Sequence, residues 1–220
     1  MVLSTGVPEL DEILDGGIAH PSICMIYGES GTGKTMIALR MAIHAARMNI
    51  RTMYLDVDLK LDPRALRGRF MKNPELLRRI TVITGNPEVS RLLSILDGIR
   101  STASGSGILI VIDTISSLIR WNIYRYGFKA AFKVLEEMIP ILVLLLRRGT
   151  SIIALAQFNS SELHHQRLLL PLKKLARTVI RLERDSTAGG HRVAVIEKLS
   201  GRSAGVRINY SLGGGENGDE

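Results

Sequence analysis

Residues 28–35 read Gly28-Glu29-Ser30-Gly31-Thr32-Gly33-Lys34-Thr35, which fits the pattern G-x-x-x-x-G-K-S/T. An apolar run at 23–27 precedes this octapeptide, and a segment rich in Ala, Met, Leu and Arg follows it at 36–49. The flanks predict a buried strand, a glycine turn and a helix, which is the geometry of a phosphate-binding loop. Because glycines leave the inward backbone N–H groups unobstructed, such a turn can surround an anion, and the helix start adds partial positive charge.

The side chains of the octapeptide complete the chemistry of a triphosphate site. Lys34 is expected to reach the β- and γ-phosphates, and the hydroxyl of Thr35 is expected to coordinate Mg²⁺. We therefore predict that all eight residues of 28–35 take part in binding ATP. The alternative is a glycine-rich turn in which the Lys-Thr pair occurs by accident, and the matching flanks argue against it.

A second motif supplies the carboxylate that a magnesium site needs. The apolar segment 108–112 ends at Asp113, which is the Walker B pattern of a strand closed by an acid. Asp113 is predicted to hold Mg²⁺ through water. Many strands end in Asp, so the pattern gains its weight from the phosphate-binding loop upstream. The structural alternative is that Asp113 caps the following helix.

Hydrolysis also needs a group that positions or activates water. The strand after the loop's helix ends at Asp56, and Asp58 follows; either carboxylate can face the γ-phosphate at the C-terminal edge of a parallel sheet. A turn or helix-capping role competes for both. Gln157 ends a further apolar strand, where its amide can hydrogen-bond a γ-phosphate oxygen; an ordinary surface position is the alternative. The predicted catalytic residues are Lys34, Asp58, Asp113 and Gln157.

Apolar runs alternate with helical patterns through most of the chain, which predicts parallel β-α-β units with helices on both faces of a sheet. After residue 176 the pattern changes to strand-like runs separated by Gly-containing turns, which predicts an antiparallel extension of the same sheet. The predicted strands are 23–27, 51–56, 80–83, 107–112, 151–156, 177–183, 192–198 and 205–210. The predicted helices are 8–14, 34–48, 63–72, 88–102, 127–148 and 169–175.

Composition is that of an ordinary globular protein, with 45% hydrophobic and 23% charged residues among 220. Acidic residues near the start of the sequence argue against a secretory signal there. The longest apolar run, 138–146, is too short to cross a bilayer. The single cysteine, Cys24, lies in an apolar strand and cannot form an internal disulfide. We therefore expect a cytoplasmic protein without membrane contact.

The positive charge of the chain is concentrated in one region. The formal net charge is +8, and the segment 120–181 carries eleven Lys and Arg against three Glu. Such a concentration favours a polyanionic partner, nucleic acid in particular. A well-solvated basic surface is the alternative.

Taken together, these motifs resemble the RecA/RadA recombinase superfamily. The opening segment 4–18 is similar to the family's lead-in to the phosphate loop, and the loop, the strand 54–56, Asp113 and Gln157 follow in the family's order. The closing strands resemble those of archaeal RadB-type recombinase paralogues.

The resemblance covers residues 4–212 and implies the fold. We expect a single RecA-like ATPase domain at 1–212, an α/β core of three layers whose mainly parallel sheet has helices on both faces and antiparallel C-terminal strands. Residues 213–220, rich in Gly and acidic residues, are expected to form a flexible tail.

The sequence also departs from the family's pattern. Asp58 stands where the family has a glutamate two residues after the strand aspartate, and its shorter side chain predicts slow hydrolysis or binding without turnover. Because the sequence opens at the ATPase core, we expect no counterpart of the N-terminal DNA-binding domain and polymerisation linker of full recombinases. The segment after Gln157 lacks the glycines of a long DNA-binding loop. These departures favour a paralogue that assists or regulates a recombinase, with slow, DNA-dependent ATPase activity, over one that forms filaments alone.

In this family the loops after Walker B and after Gln157 face DNA. The first is expected to contain 120–129, where aromatic residues interleave with arginines and can stack on the bases of a single strand. The alternative is that Trp121 and Tyr124 pack as core. The second loop contains His164 and His165, which have no neighbouring ligands that would complete a metal site. The predicted DNA contacts are Arg120, Trp121, Tyr124, Arg125, Lys129, Arg167, Lys173 and Lys174.

The resemblance thus predicts an ATP- and Mg²⁺-binding recombinase paralogue in DNA repair, with single-stranded DNA and the main recombinase or another paralogue as partners. Homo- or hetero-oligomers fit this class, and Lys198 and Arg202 are candidates for completing a neighbouring subunit's nucleotide site. One alternative is a KaiC-like signalling ATPase that contacts only proteins. A nucleotide-dependent scaffold without turnover is another.

Overall fold

The computed structural model describes residues 1–62, 74–85, 94–95, 98, 107–158, 167–184, 192–200 and 202–212. The predicted helix 63–72, most of the predicted helix 88–102, the pair His164 and His165, and the segment 213–220 lie outside these described residues.

Sixteen helices and strands are assigned in the described chain. In chain order they are β1 (Val2–Leu3), α1 (Pro8–Ile13), β2 (Ile18–Ala19), β3 (Ile23–Gly28), α2 (Lys34–Arg47), β4 (Arg51–Asp56), α3 (Pro74–Leu77), β5 (Ile80–Thr84), β6 (Ile108–Asp113), α4 (Ile115–Tyr126), α5 (Phe128–Arg147), β7 (Ser151–Gln157), α6 (Leu170–Leu175), β8 (Thr178–Arg184), β9 (Arg192–Leu199) and β10 (Arg202–Tyr210).

Eight of these strands form one sheet in the order β10-β9-β8-β3-β7-β6-β4-β5, and β1 pairs with β2 separately. The strands from β8 to β5 in that order are parallel, whereas β9 and β10 are antiparallel to their neighbours. The predicted parallel core is confirmed. One correction concerns β8, which was predicted within the antiparallel extension. It runs parallel to β3, and α6 lies between β7 and β8 in the chain, since parallel strands of one sheet are joined by a crossover connection.

Helices cover both faces of the sheet and make two hydrophobic layers. On one face, Leu118 of α4, Leu142 of α5 and Leu172 of α6 pack onto the central strands. On the other face, α1 and α2 contribute Leu10 and Ile37. All six residues of β6 are buried, which explains why the central strands are continuous aliphatic runs rather than alternating patterns.

The parallel arrangement brings the predicted site residues to one edge of the sheet. Gly28 at the end of β3 is in register with Gln157 at the end of β7. Asp56 at the end of β4 is in register with Asp113 at the end of β6. Since these are the carboxyl ends of parallel strands, the edge is where ligands bind in open α/β folds.

Helix α4 corrects the prediction of a loop over 120–129. The side-chain oxygen of Thr114 accepts a hydrogen bond from the backbone N–H of Ser117 and so caps the helix. Gly127, with φ of 83°, separates α4 from α5. Residues 115–126, which lie between Thr114 and Gly127, include no Gly or Pro. Leu118 and Ile119 lie buried on the inner face of this helix. The predicted DNA-facing segment is therefore a helix followed by the first turn of another.

In the part of the chain that the structure describes, none of the helices combines the length and apolar character that crossing a membrane requires.

Candidate nucleotide-binding site

The turn between β3 and α2 needs glycine at two positions. Gly31 and Gly33 have φ of 74° and 95°, in the left-handed region that other residues avoid. A β-carbon on Gly33 would also lie 2.1 Å from a methyl carbon of Leu212. The side-chain hydroxyl of Thr32 donates a hydrogen bond of 2.9 Å to the carbonyl of Glu29, which closes the turn on itself.

Lys34 lies within this turn and is only 6% exposed. Its Nζ donates hydrogen bonds of 2.9 Å to the carbonyl of Gly28 and 2.5 Å to that of Glu29, and a longer one of 3.3 Å to the hydroxyl of Thr32. Burial lowers the pKa of Lys34 to about 8, and the nearby charge of Lys60 acts in the same direction. The three oxygen partners are uncharged, so none of them neutralises the ammonium group.

Asp113 is completely buried at the tip of β6. Its Oδ2 accepts a 2.8 Å hydrogen bond from the hydroxyl of Tyr54, while Oδ1 has no hydrogen-bond partner among the described residues. Burial raises the pKa of Asp113, and the hydroxyls of Tyr54 and Thr35 act against that rise. Thr114 occupies the cap position of α4, so the alternative of Asp113 as a helix cap is wrong.

The two aspartates at the end of β4 have different surroundings. Asp56 is buried, and its carboxylate accepts hydrogen bonds of 3.0 and 2.9 Å from the backbone N–H groups of Lys60 and Leu61. Asp56 therefore stabilises the turn after β4, which is the alternative to a catalytic role that the sequence left open. Asp58 forms an ion pair of 2.9 Å with Nζ of Lys60 and accepts a 3.2 Å hydrogen bond from the hydroxyl of Thr114.

These contacts determine the protonation of Asp58. Burial raises its pKa, but the hydrogen bonds from Ser117, Lys60 and Thr114 and the charge of Lys60 outweigh burial, so the pKa lies below its ordinary value. The carboxylate is therefore ionised at neutral pH but is a weak proton acceptor. A general base works best when its pKa is near the working pH, and this environment is consistent with the slow hydrolysis expected from the sequence.

Gln157 lies at the tip of β7 and borders the same cavity as the phosphate loop. Its backbone N–H donates a 2.9 Å hydrogen bond to the side-chain oxygen of Ser116, in the first turn of α4. Its side-chain oxygen accepts a 3.5 Å hydrogen bond from Nζ of Lys60. Gln157 thus touches both the cavity and the start of α4.

The cavity at this edge has a volume of about 450 Å³, within the usual range for small-molecule sites. The phosphate loop forms one wall, and apolar side chains of Met36, Leu39, Leu61 and Leu212 form much of another. Lys60, Arg192 and Leu212 line it although sequence reasoning missed them. Lys60 could have been found from its position two residues after Asp58; no local signal marks Arg192 or Leu212.

The end of β10 is hydrogen-bonded to the phosphate loop. The hydroxyl of Tyr210 donates a hydrogen bond to the carbonyl of Thr32. Arg40 of α2 donates hydrogen bonds of 2.8 Å to the carbonyls of both Gly6 and Leu212. The lead-in segment, the phosphate-loop helix and the chain after β10 are therefore connected through a single arginine.

The outer surface of α4 and the start of α5 carry the predicted aromatic cluster. Trp121 is 38% exposed and Tyr124 is 87% exposed, so the alternative that they pack as core is wrong. The guanidinium of Arg125 lies 5.9 Å from the ring centroid of Trp121 and 5.4 Å from that of Tyr126. We call Trp121, Tyr124, Arg125, Tyr126 and Phe128 the aromatic–arginine surface.

The other residues predicted to contact DNA differ in their exposure and in their contacts within the protein. Arg120 donates a 3.0 Å hydrogen bond to the hydroxyl of Ser117, and Lys129 is exposed in the first turn of α5. Arg167 and Lys174 are exposed. Lys173 instead forms a 2.5 Å ion pair with Glu197 and a 3.1 Å hydrogen bond with Tyr27, which directs its charge into the protein.

The two candidates for contacts to a neighbouring subunit are placed as follows. Nζ of Lys198 donates a 2.7 Å hydrogen bond to the carbonyl of Lys174, on the protein's own chain. Arg202 begins β10, and its side chain lies outside what the structure describes.

The fold is that of the RecA-like P-loop class, and this edge of the sheet carries the phosphate-loop turn of that fold. Three features carry the assignment: the glycine turn between β3 and α2, the buried acid that ends β6, and the antiparallel strands that close the sheet. The predicted fold class is thus confirmed.

Comparison with known proteins is consistent with this class. The family model described as "ATPase: KaiC" matches residues 3–72. The DNA repair and recombination protein RadB of Thermococcus onnurineus is 26% identical over 219 residues, which cover 96% of this chain and 94% of that protein.

Two solved structures share the fold. A KaiC-like protein of Pyrococcus horikoshii has a TM-score of 0.70 at 21% identity, covering 97% of this chain and 95% of its own. The RadB recombinase has a TM-score of 0.69 at 23% identity, covering 94% of each chain. The resemblance to the RecA/RadA superfamily and to RadB-type paralogues is confirmed.

Proposed function

We propose that this protein is an ATP-binding recombinase paralogue that acts in DNA repair and recombination as a mediator or regulator. In this proposal, ATP bound at the phosphate loop changes the affinity of the aromatic–arginine surface for single-stranded DNA. The near full-length similarity to proteins named for DNA repair and recombination supports the role. The observation that carries the mechanism is the path of α4, which links the two sites.

The residues present fit a nucleotide with Mg²⁺. The left-handed glycines leave a cradle of backbone N–H groups, and Lys34 supplies a buried positive charge beside it. The hydroxyl of Thr35 and, through water, the buried Asp113 would hold the metal; the carboxylate oxygen Oδ1 of Asp113 lacks a partner among the described residues. Bound Mg²⁺ would neutralise phosphate charge. The apolar wall of the cavity suits the base.

Helix α4 begins at the nucleotide cavity and ends at the aromatic–arginine surface. Thr114, which caps it, borders the cavity and bonds to Asp58, and Ser116 in its first turn accepts the hydrogen bond from Gln157. Trp121 and Tyr124 lie five and eight residues further along the same helix than Ser116. A rigid helix of twelve residues transmits a displacement at one end to the other over about 18 Å. Nucleotide contacts to Asp58 and Gln157 would therefore bear on the exposed aromatic residues.

Replacing the exposed aromatics is expected to weaken DNA binding. Trp121→Ala with Tyr124→Ala should lower the affinity for single-stranded DNA about 10-fold or more, because stacking contributes roughly 1–3 kcal/mol per base. Fluorescence anisotropy with a labelled oligonucleotide, with and without Mg²⁺ and a non-hydrolysable ATP analogue, measures this. For the unmodified protein the logarithm of affinity should fall with the logarithm of salt concentration by about 0.7 per phosphate neutralised.

A suitable control is Leu144→Ala, which trims an exposed side chain near the far end of α5 and should leave the affinity unchanged. A wild-type protein with no anisotropy signal, or with one that does not respond to salt, would remove the DNA assignment and leave the nucleotide site standing.

The carboxylate at position 58 is expected to limit hydrolysis. Asp58→Glu extends the carboxylate by one methylene and should raise phosphate release about 10-fold, whereas Asp58→Asn should reduce it to background, since a general base contributes 10²-fold or more. A phosphate-release assay with and without single-stranded DNA compares the three proteins. Equal, measurable rates for all three would mean that Asp58 takes no part in turnover. No phosphate release by any of the three would favour a nucleotide-dependent scaffold.

A KaiC-like ATPase that contacts only proteins is the second candidate. The family-model match over 3–72 and the KaiC-like solved structure favour it. The aromatic–arginine surface favours the first candidate, because bases stack on such side chains. A pull-down from the cytoplasm tests both candidates. Recovery of the main recombinase, together with binding of DNA by this protein, would support the first candidate. Recovery of a protein partner without any affinity for DNA would support the second.

A further inference from the structure

Two arginines lie together at the phosphate-loop edge of the sheet. Arg184 ends β8 and Arg192 begins β9, and the two residues are directly paired in the antiparallel register. Strand β8 is parallel to β3, with Leu182 in register with Gly28 of the phosphate loop. The pair therefore projects from the same edge as the loop, two residues beyond it.

Arg192 lines the nucleotide cavity, and Arg184 lies against the glycine turn that forms one of its walls. The guanidinium of Arg184 lies against the loop, so that a β-carbon on Gly31 would be 2.0 Å from its Nη2. Arg192 lines the cavity together with Lys34 and Gly31. The charge of Arg184 is close enough to Lys34 to disfavour the lysine's protonated form.

The two arginines differ from their neighbours in their ionic contacts. On the same strand, Arg181 forms ion pairs with Glu183 and Glu197, and Arg207 of β10 also pairs with Glu183. Within the described ranges, no carboxylate lies at ion-pair distance from Arg184 or Arg192. Positive groups held near one another without acidic partners are the arrangement expected around a bound polyanion.

We propose that Arg184 and Arg192 bind the phosphate tail of the nucleotide from within the same chain. This inference rests on the proposed nucleotide site and adds to it a second set of phosphate contacts beside that of Lys34. The planar guanidinium matches two phosphate oxygens at once, which an ammonium group cannot do. The triphosphate is then held between the glycine turn and the β8–β9 pair.

The test compares ligands with and without a base. Titration calorimetry measures the affinity of the full chain and of the variants Arg184→Ala, Arg192→Ala and the double variant for Mg²⁺–ATP analogue and for inorganic tripolyphosphate. Each single change should weaken both ligands about 10-fold, and the double change about 100-fold, as expected for charge-assisted hydrogen bonds. The lysine variants Arg184→Lys and Arg192→Lys keep the charge and should lose less.

The matched control is Arg177→Ala. Arg177 is exposed just before β8, about 23 Å from Arg184 along the extended chain, so its removal changes net charge equally and should leave both affinities unchanged. Thermal unfolding of each variant shows whether it is folded.

Each result has a distinct meaning. If the unmodified protein binds both ligands and the arginine variants bind within twofold of it, the inference is overturned while the nucleotide site stands. If the variants lose affinity for the ATP analogue but not for tripolyphosphate, the arginines contact base or ribose, and the phosphate assignment is wrong. If the unmodified protein binds neither ligand, the proposed function and the inference fail together.

Discussion

Lys34→Ala is expected to abolish nucleotide binding, with affinity at least about 100-fold weaker than that of the unmodified protein. The ammonium group is buried in the turn, and its hydrogen bonds to the carbonyls of Gly28 and Glu29 fix it beside the backbone N–H groups of the loop. Charge-assisted hydrogen bonds contribute roughly 1.5–3 kcal/mol each, and two phosphates would share this lysine. Titration calorimetry with Mg²⁺–ATP analogue measures the loss.

Two further variants separate loss of charge from loss of structure. Lys34→Met keeps the aliphatic stem without the charge and should bind as poorly as Lys34→Ala. Lys133→Ala removes a lysine whose side chain is 75% exposed on α5 and should bind normally. Retained affinity in Lys34→Ala would contradict the central assignment of the glycine turn as a triphosphate site.

Gly28→Ala is expected to destabilise the protein by about 3–5 kcal/mol, through overpacking together with an unfavourable backbone conformation. A β-carbon at this position would lie 2.0 Å from the carbonyl oxygen of Leu182, on the neighbouring strand β8, and Gly28 has φ of 150°. The obstructing atom is backbone, so relief requires β3 and β8 to move apart. Thermal unfolding should show a midpoint lower by about 10 °C.

The control for this effect is Gly85→Ala. Gly85 has φ of 101°, but a β-carbon there meets nothing within 4 Å among the described residues. It should therefore cost only the backbone strain, about 1–2 kcal/mol. Equal losses for the two variants would show that backbone conformation, and not the close approach of β8, makes glycine necessary at position 28.

The central part of the site could be predicted from the sequence because its signals are local. The residues of the octapeptide are consecutive, and each aliphatic run stands next to the acid or amide that ends it. The parallel arrangement follows from the alternation of strands and helices. Asp113 and Gln157 were placed at one edge by this reasoning, and the register of the strands agrees.

The loop over 120–129 shows where the family resemblance misled. The local signals for a helix were present, with Thr114 at its start and Gly127 at its end. The sequence could not show which of Asp56 and Asp58 stabilises the turn and which faces the site, because both carboxylates stand at the end of the same strand. It depends on the path of the turn, which directs two backbone N–H groups at Asp56 and the ammonium of Lys60 at Asp58.

The sequence by itself determined that a glycine turn joins a buried strand to a helix and that acids and an amide end the neighbouring strands, because each of these depends on contacts between residues close in the chain. Only the tertiary structure decided which distant residues complete the cavity. Arg192 and Leu212 line it, and Arg184 lies against its glycine turn, because β8 lies parallel beside β3 and the last two strands turn back along it. Strand order in a sheet is decided by packing across the whole chain, so no local pattern reveals these neighbours.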